Sequence, residues 1–549
     1  MKLVVRFLLI MLLGLVPLSA FAQDADTFVG RLIGNPDTFN PLITASSMSQ
    51  WNYGLVFPTL FEIDPFSGQP QPGLASWSVS DDGLTYTFTI RDDAVWSDGT
   101  PITAADAKFS FDAIKSENVQ SVLNASVASV VAVNAVDDKT LEVVLDKAYC
   151  TAIFDIYAVR VLPAHKYAAD YSDFMTSAFN AQPDISGGPY IMTEYMPDEF
   201  VRYVANETYW GGAPKITNWI YRVIPDPVVA NQSLLAGESD FASMRGEFSQ
   251  FPMNDDFIAT PVAPYTFAFF TINFVDPTNP QPAYDADGNM VEQTPHPIFG
   301  DVRVRQAFAM GYSKQDIIDS LGDGAGVPTI GAFSPSVPWA YNPDLEPYPY
   351  DPEQAAALLD EAGWVLNPAT GIREKDGMPL AFELAYSPVF AYFETMALIA
   401  QDQLSQLGMD IKLTSMEIGA LLNDKFFAQR FDVVVMSNGD SIPDPDGVLK
   451  AFTISTADDP DNGGQNVMSY VNPEYDALVE QAGVMPGCSI EDRAPLYHEI
   501  QRIQHEDVMI DSVMTPTLFN VVNRRIENMN PGPWWLVFNS ANQYTIAQP

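Results

Sequence analysis

The feature that most constrains this chain is an ordered alternation of strand and helix patterns between residues 380 and 436. Leu380, Phe382 and Leu384 recur at the two-residue period of a strand. Phe393, Ala397, Ala400, Leu404 and Leu407 then trace one helical face, which Gly408 terminates. Ile411 and Leu413 begin a second strand, residues 418–428 read as a second helix, and the apolar run from Phe431 to Met436 supplies a third strand. Strands separated by helices predict parallel pairing with right-handed crossovers, because a tight turn cannot reach a parallel neighbour. In such sheets ligands bind beyond the carboxyl ends of the strands, where loops converge. Asp440, in the loop 437–444 directly after the third strand, therefore stands where a ligand-facing group would be placed. An Asx turn or a helix cap is the alternative use of an aspartate there.

The flanking sequence is organised differently. Asp351 and Pro352 open a helix as N-cap and first-turn residues, and Gly363 closes it. In the first half strands dominate: Tyr86, Phe88 and Ile90 alternate with threonines, Leu141, Val143 and Leu145 repeat the pattern, and residues 190–204 read as two strands around Pro197-Asp198. One helix interrupts them, with Thr103 and Asp106 as a capping box and Ala107, Phe111 and Ile114 on one face through Lys115. At 549 residues the chain exceeds the size at which a single core stops growing, so two or more lobes are expected.

The N-terminus carries Lys2 and Arg6, an apolar run from Phe7 to Val16, Pro17, and then Ala20-Phe21-Ala22 before Gln23. These are the parts of a secretory signal peptide over residues 1–22. The run is shorter than the ~20 apolar residues of a spanning helix, so a periplasmic or extracellular chain is expected. Its formal net charge of −43 opposes contact with nucleic acid and anionic lipid. Only two cysteines are present, Cys150 and Cys488, which excludes a cysteine-rich zinc site and leaves one disulfide between them, or two free thiols, open.

Patterns for catalysis are missing. The four histidines include His498 and His505, seven apart on one face of a helix and read as solvated, but no HExxH motif occurs. Gly322, Gly324 and Gly326 follow a helix opened by Ser313, whereas a dinucleotide loop follows a strand. No GxSxG elbow and no phosphate-loop lysine pattern appears, and Asp285 to Asn289 reads as a hairpin turn rather than a calcium loop. No enzyme, cofactor or metal is expected.

Several segments together resemble a known family. Residues 84–91 (Leu-Thr-Tyr-Thr-Phe-Thr-Ile-Arg), 95–106 (Val-Trp-Ser-Asp-Gly-Thr-Pro-Ile-Thr-Ala-Ala-Asp) and 109–115 (Phe-Ser-Phe-Asp-Ala-Ile-Lys) are similar, almost position by position, to the signature of family-5 extracellular solute-binding proteins of ABC transporters, the dipeptide- and oligopeptide-binding type. Further matches are Asn40-Pro41-Leu42, Gly187-Gly-Pro-Tyr190, Tyr209-Trp-Gly-Gly212, Asp301 to Phe308 and Leu358 to Trp364, so the resemblance covers nearly all of the chain after the signal peptide. It implies an α/β two-lobed clamp of the periplasmic-binding-protein type (type II, cluster C) with an extra subdomain in lobe one. Lobe one would comprise residues 24–270 with a C-terminal return over 513–549, and lobe two residues 271–512, with the two crossing segments as hinge.

The resemblance further implies that Asp440 pairs with the α-amine of a captured peptide, with Asp444 as the second choice if the loop is shifted. Asn438 stands where members often carry a tryptophan, and Ser387 where dipeptide binders place an arginine, which favours a longer peptide or an amine without a matched carboxylate. Trp51, Tyr53, Tyr265, Phe267, Tyr386 and Tyr392 are candidate walls for stacking on the ligand, with burial in the core as the alternative. A monomer delivering a small organic ligand to permease subunits is expected, with an oligosaccharide or a chelated metal as other ligands and an extracellular hydrolase as the reading from another class.

Overall fold

The computed structural model describes residues 26–547 apart from 286, 288, 323, 440, 441, 458–463, 535–537 and 539. The expected signal peptide lies outside the described residues, as does Asp440.

The alternation between 380 and 436 folds as a sheet. Ala381–Tyr386 pairs in parallel with both Asp410–Ser415 and Val433–Gly439, and Ala391–Ser405 is the helix between the first two. The second connection departs from the expected α-helix: after Ile418–Ala420 it continues as a π-helix over Leu421–Phe426. The five-residue turn brings Leu421 and Phe426, both buried, to one face, which an α-helical turn would not. The sheet is mixed, because Thr266–Ile272 joins antiparallel to Val433–Gly439, and Ile510–Pro516 joins antiparallel to Thr266–Ile272. Side chains alternate across it. Phe267 and Phe269 enter one core with Leu449 and Tyr497, whereas Phe270 and Ile272 enter another with Phe308 and Leu384. Burial on both faces accounts for the apolar run Phe267–Phe270.

The first half is strand-rich, as its period-two pattern requires. Thr27–Leu32, Asn218–Val223, Phe200–Ala205 and Tyr190–Met196 form one four-stranded sheet in that order. A second sheet, Ala75–Val79, Thr85–Ile90, Thr140–Leu145 and Val130–Ala135, is wholly antiparallel and is the extra subdomain. The helix Ala104–Lys115 packs on it, its start fixed by the Thr103 N–H donating to the Asp106 carboxylate at 2.9 Å.

The tail of the chain pairs with strands of the first half. Leu518–Asn523 inserts between Phe241–Met244 and Phe257–Val262. Behind it Arg525 pairs with the fully buried Asp240 at 2.6 Å and donates to the Thr27 carbonyl, tying the tail to the first strand. The chain thus crosses between the halves twice, and the crossings lie side by side: Val262 is paired with Leu518 and Ala268 with Met514. The boundaries expected at 270 and 513 fall inside Thr266–Ile272 and Ile510–Pro516, whose ladders belong entirely to the second-half sheet. One core gathers residues from Phe28 to Phe241 with Val522 to Tyr544, and two large cores gather residues from Tyr265 to Met514.

The histidine pair differs from expectation. In the helix Ile490–Asp507, His505 stacks on Tyr348 at 4.2 Å, and the Nε2 of His498 is buried without a partner among the described residues, so both side chains are half-buried against neighbours rather than fully solvated. Tyr284 is bridged antiparallel to Met290 across the Asp285 segment, two residues of which, 286 and 288, lie outside the described residues.

Candidate ligand cleft

A cavity of about 640 Å³ lies between the two halves. Trp77, Tyr86, Tyr149 and Phe154 line it from the extra subdomain and its following segment, and Trp339, Asp444 and Arg493 line it from the second half. This is within the range of small-molecule sites, roughly 300–1,000 Å³, and the mixture of flat aromatic walls with few charges is the usual composition of such sites. The disulfide Cys150–Cys488, with an S–S distance of 2.08 Å, forms part of the wall and joins the halves covalently. Next to it the Cys150 N–H donates to the Gly483 carbonyl at 2.8 Å.

Of the described residues expected at the site, Asp444 alone lines this cavity, and its carboxylate is already engaged. Arg493 donates to both Asp444 oxygens at 2.6 and 3.0 Å, and both side chains are buried. Asp444 is therefore a structural partner of Arg493 here and not an open receptor for an amine, because a doubly paired carboxylate has little left to offer a second cation. Asp446, two residues on, has its carboxyl pushed up to about 6 by burial and then by the Asp444 charge, with Arg493 opposing.

The other expected residues fall into two groups. Tyr265 and Phe267 are core residues, with Tyr265 edge-on to Trp534 and Phe267 packed on Phe269. Phe267 is paired across the ladder with Asn438, whose side-chain amide donates to Gln465 at 2.8 Å. Gly439 ends that strand so close to its neighbour that a Cβ would lie 2.2 Å from the Tyr265 carbonyl oxygen, which fixes a glycine immediately before Asp440. Tyr386 is buried against Glu394, and Tyr392 stacks on Phe390 with Ser437 and Arg245 beside its hydroxyl. Trp51 and Tyr53 belong to the other half, Trp51 against Tyr221 and Tyr53 beneath the Arg160 guanidinium at 5.2 Å.

Arg160 in turn lines a second cavity of about 200 Å³, which sequence reasoning missed. Glu62, Tyr157, Arg160 and Tyr209 line it, with Gln71 and Pro72 of the Phe61–Pro72 hairpin. The Glu62 carboxyl is pushed up to about 7 by burial, with Arg160 opposing. Arg160 sits in the apolar run Val159 to Leu162, and a lone cation in such a run is the signal that could have found it.

These raised carboxyls set a pH dependence. A carboxyl whose folded pKa lies above its unfolded value binds a proton more readily in the folded state, so stability falls as pH rises through the gap. For Asp446 and Glu62 the gap runs from about 4 to about 7. Urea unfolding at pH 5 and pH 8 is expected to show a loss on the order of 4 kcal/mol at the higher pH. Asp446→Asn and Glu62→Gln together should flatten it, and an unchanged pH slope in that double variant would refute this assignment.

Among the described residues no helix is long and apolar enough to cross a membrane, and no cluster of three His, Cys, Asp or Glu side chains is arranged to hold a metal ion. The chain is 31% identical over 358 residues to the nickel-binding periplasmic protein of Escherichia coli K12, a match that spans 64% of each chain. It is 26% identical over 544 residues to the dipeptide-binding protein of the same organism, spanning 94% of each. Its fold superposes on the crystal structure of NikA from Brucella suis in complex with Fe(III)-EDTA with a TM-score of 0.76 at 25% identity, covering 95% of this chain and all of that one. The profile of the bacterial extracellular solute-binding proteins, family 5, matches residues 69–460, and with this two-lobed α/β clamp the chain belongs to that family.

Proposed function

We propose that this protein is an extracytoplasmic receptor of an ABC importer that captures a peptide between two hinged lobes and presents it to membrane permease subunits. The observation that carries the reading is the cavity walled by aromatic side chains from both halves, since a site completed by two bodies is one that a hinge can open and close. We place the lobes at residues 26–264 with 517–547 and at 265–516, and the hinge at the adjacent crossings. Contacts available only in the closed form would shift the population toward closure. Asp440, one residue beyond the strand Val433–Gly439, keeps the role of partner to the ligand amine.

Peptide is favoured by the likeness to the dipeptide-binding protein along 94% of the chain. The likeness to the nickel-binding protein supports a chelated metal as the second reading. Native mass spectrometry and elemental analysis of protein secreted from its own cells would separate them. Co-purified peptides are the expected result, and stoichiometric nickel or iron with no peptide would replace the first reading by the second.

A further inference from the structure

We infer that the Cys150–Cys488 bridge is a redox latch on the clamp, a modification site for a dithiol reductant that attacks Cys488 and so frees the two halves to part. The inference rests on the reading of two hinged halves given above and adds a chemical control to their opening.

The placement of the bridge points to this role. Cys150 precedes the Ala152–Ala158 helix, and its neighbours Tyr149 and Ile153 pack on the first-half core. Cys488 stands in the link between Pro473–Gly483 and Ile490–Asp507, two helices whose Val479, Ala482, Tyr497 and Ile500 enter a core of the second half. A bridge that served stability alone would do so inside either half, since what it then restricts is the unfolded chain. Set across the gap, it also restricts a hinge motion of the native protein. Cys150 and Cys488 are the only cysteines, so an opened bridge can re-form within the chain in one way only.

The two sulfurs differ in access. Cys150 is 7% exposed, whereas Cys488 is half-buried. Both line the larger cavity, and a Cβ added at Gly487, next to Cys488, would meet nothing within 4 Å, so a reagent has room on that side. A thiolate that attacks Cys488 Sγ forms a new S–S bond to it and breaks the bond to Cys150, whose sulfur leaves with the electron pair and takes up a proton. The second thiol of the reductant then attacks the reductant's own sulfur in this mixed disulfide. Cys488 leaves in its turn and is protonated, so the protein gains two electrons and two protons and the dithiol becomes a disulfide. A dithiol completes both steps within one molecule, which a monothiol cannot. The Met485 carbonyl oxygen lies 3.3 Å from Cys488 Sγ and 3.5 Å from Cys150 Sγ, an acceptor already in place for a thiol formed on either. The hydrogen bond from the Cys150 N–H to the Gly483 carbonyl then still joins the halves at this point, but water can replace it.

X-ray scattering of the secreted full-length chain, dialysed free of co-purified ligand, tests the latch. Dithiothreitol should reduce the bridge with the circular dichroism unchanged, and the reduced chain should have a larger radius of gyration than the oxidised one. The double variant Cys150→Ser with Cys488→Ser should match the reduced parent and not respond to dithiothreitol. In the single variants, the Cys488 thiol left by Cys150→Ser should react with Ellman's reagent at least tenfold faster than the Cys150 thiol left by Cys488→Ser, and equal rates would overturn the assignment of the attacked sulfur. The latch is overturned if the bridge yields to dithiothreitol only on unfolding. It is also overturned, with the clamp left standing, if the double variant still co-purifies with peptide but scatters as the oxidised parent does. Absence of any captured ligand from parent and variants alike would instead remove the clamp reading and the latch with it.

Discussion

Replacing Arg493 with methionine is expected to lower the unfolding free energy by about 3–5 kcal/mol, the usual effect of stranding one member of a buried ion pair. Arg493 is 2% exposed and spends its guanidinium on both oxygens of Asp444, the Ala482 carbonyl and the Tyr497 hydroxyl. Without it Asp444 would be left buried two residues from Asp446, whose carboxyl is already pushed up to about 6. The double variant Arg493→Met with Asp444→Leu should recover much of the loss, because two apolar groups of similar volume need no partner. Chemical denaturation of the single and double variants measures both. A loss below 1 kcal/mol in the single variant would mean that the pair is open to water.

The second large effect is expected from the disulfide. Cys150 and Cys488 are 338 residues apart, and the bond links the N-terminal core to the second half of the chain. Closing so long a loop restricts the unfolded chain strongly, and removal of a native disulfide typically costs about 2–5 kcal/mol. Cys150→Ser, Cys488→Ser and their combination should each lower the melting temperature by the same amount, since either one alone already abolishes the link. Treatment of the parent with a reductant should reproduce the shift, whereas the double variant should not respond. A double variant that melts with the parent would show that the non-covalent contacts between the halves suffice.

Much of the fold was legible because its signals are local. The capping box at Thr103 and Asp106, the N-cap Asp351 with Pro352 and the strand–helix alternation after Leu380 each produced the element read from them. Pairing over long distances was not legible. Leu518–Asn523 has the pattern of a strand, but its partners lie some 260 residues upstream, and periodicity says nothing about which edge a strand joins.

The site was harder to read than the fold. Asp444 could be picked out as an acid after a strand, but its occupation by Arg493 depends on a helix that begins at Ile490. A hint existed there: Arg493 falls on the buried stripe of that helix with Tyr497, Ile500 and Gln504, where a cation requires a buried partner. Glu62 and Arg160 left the same mark, single charges inside short apolar stretches, and counting loop acids and aromatics passed over it.

Two peptide crossings and one sulfur bridge make three covalent attachments between the halves, and their arrangement has a kinematic consequence. Two adjacent straps let a jaw swing; a third covalent link between the halves limits how far it can swing. Wider parting would call on the short turn at Gly487 and Cys488, whose φ angles of 79° and 49° lie in the left-handed region. In an oxidising compartment the bridge would therefore set the widest separation that the two halves can reach.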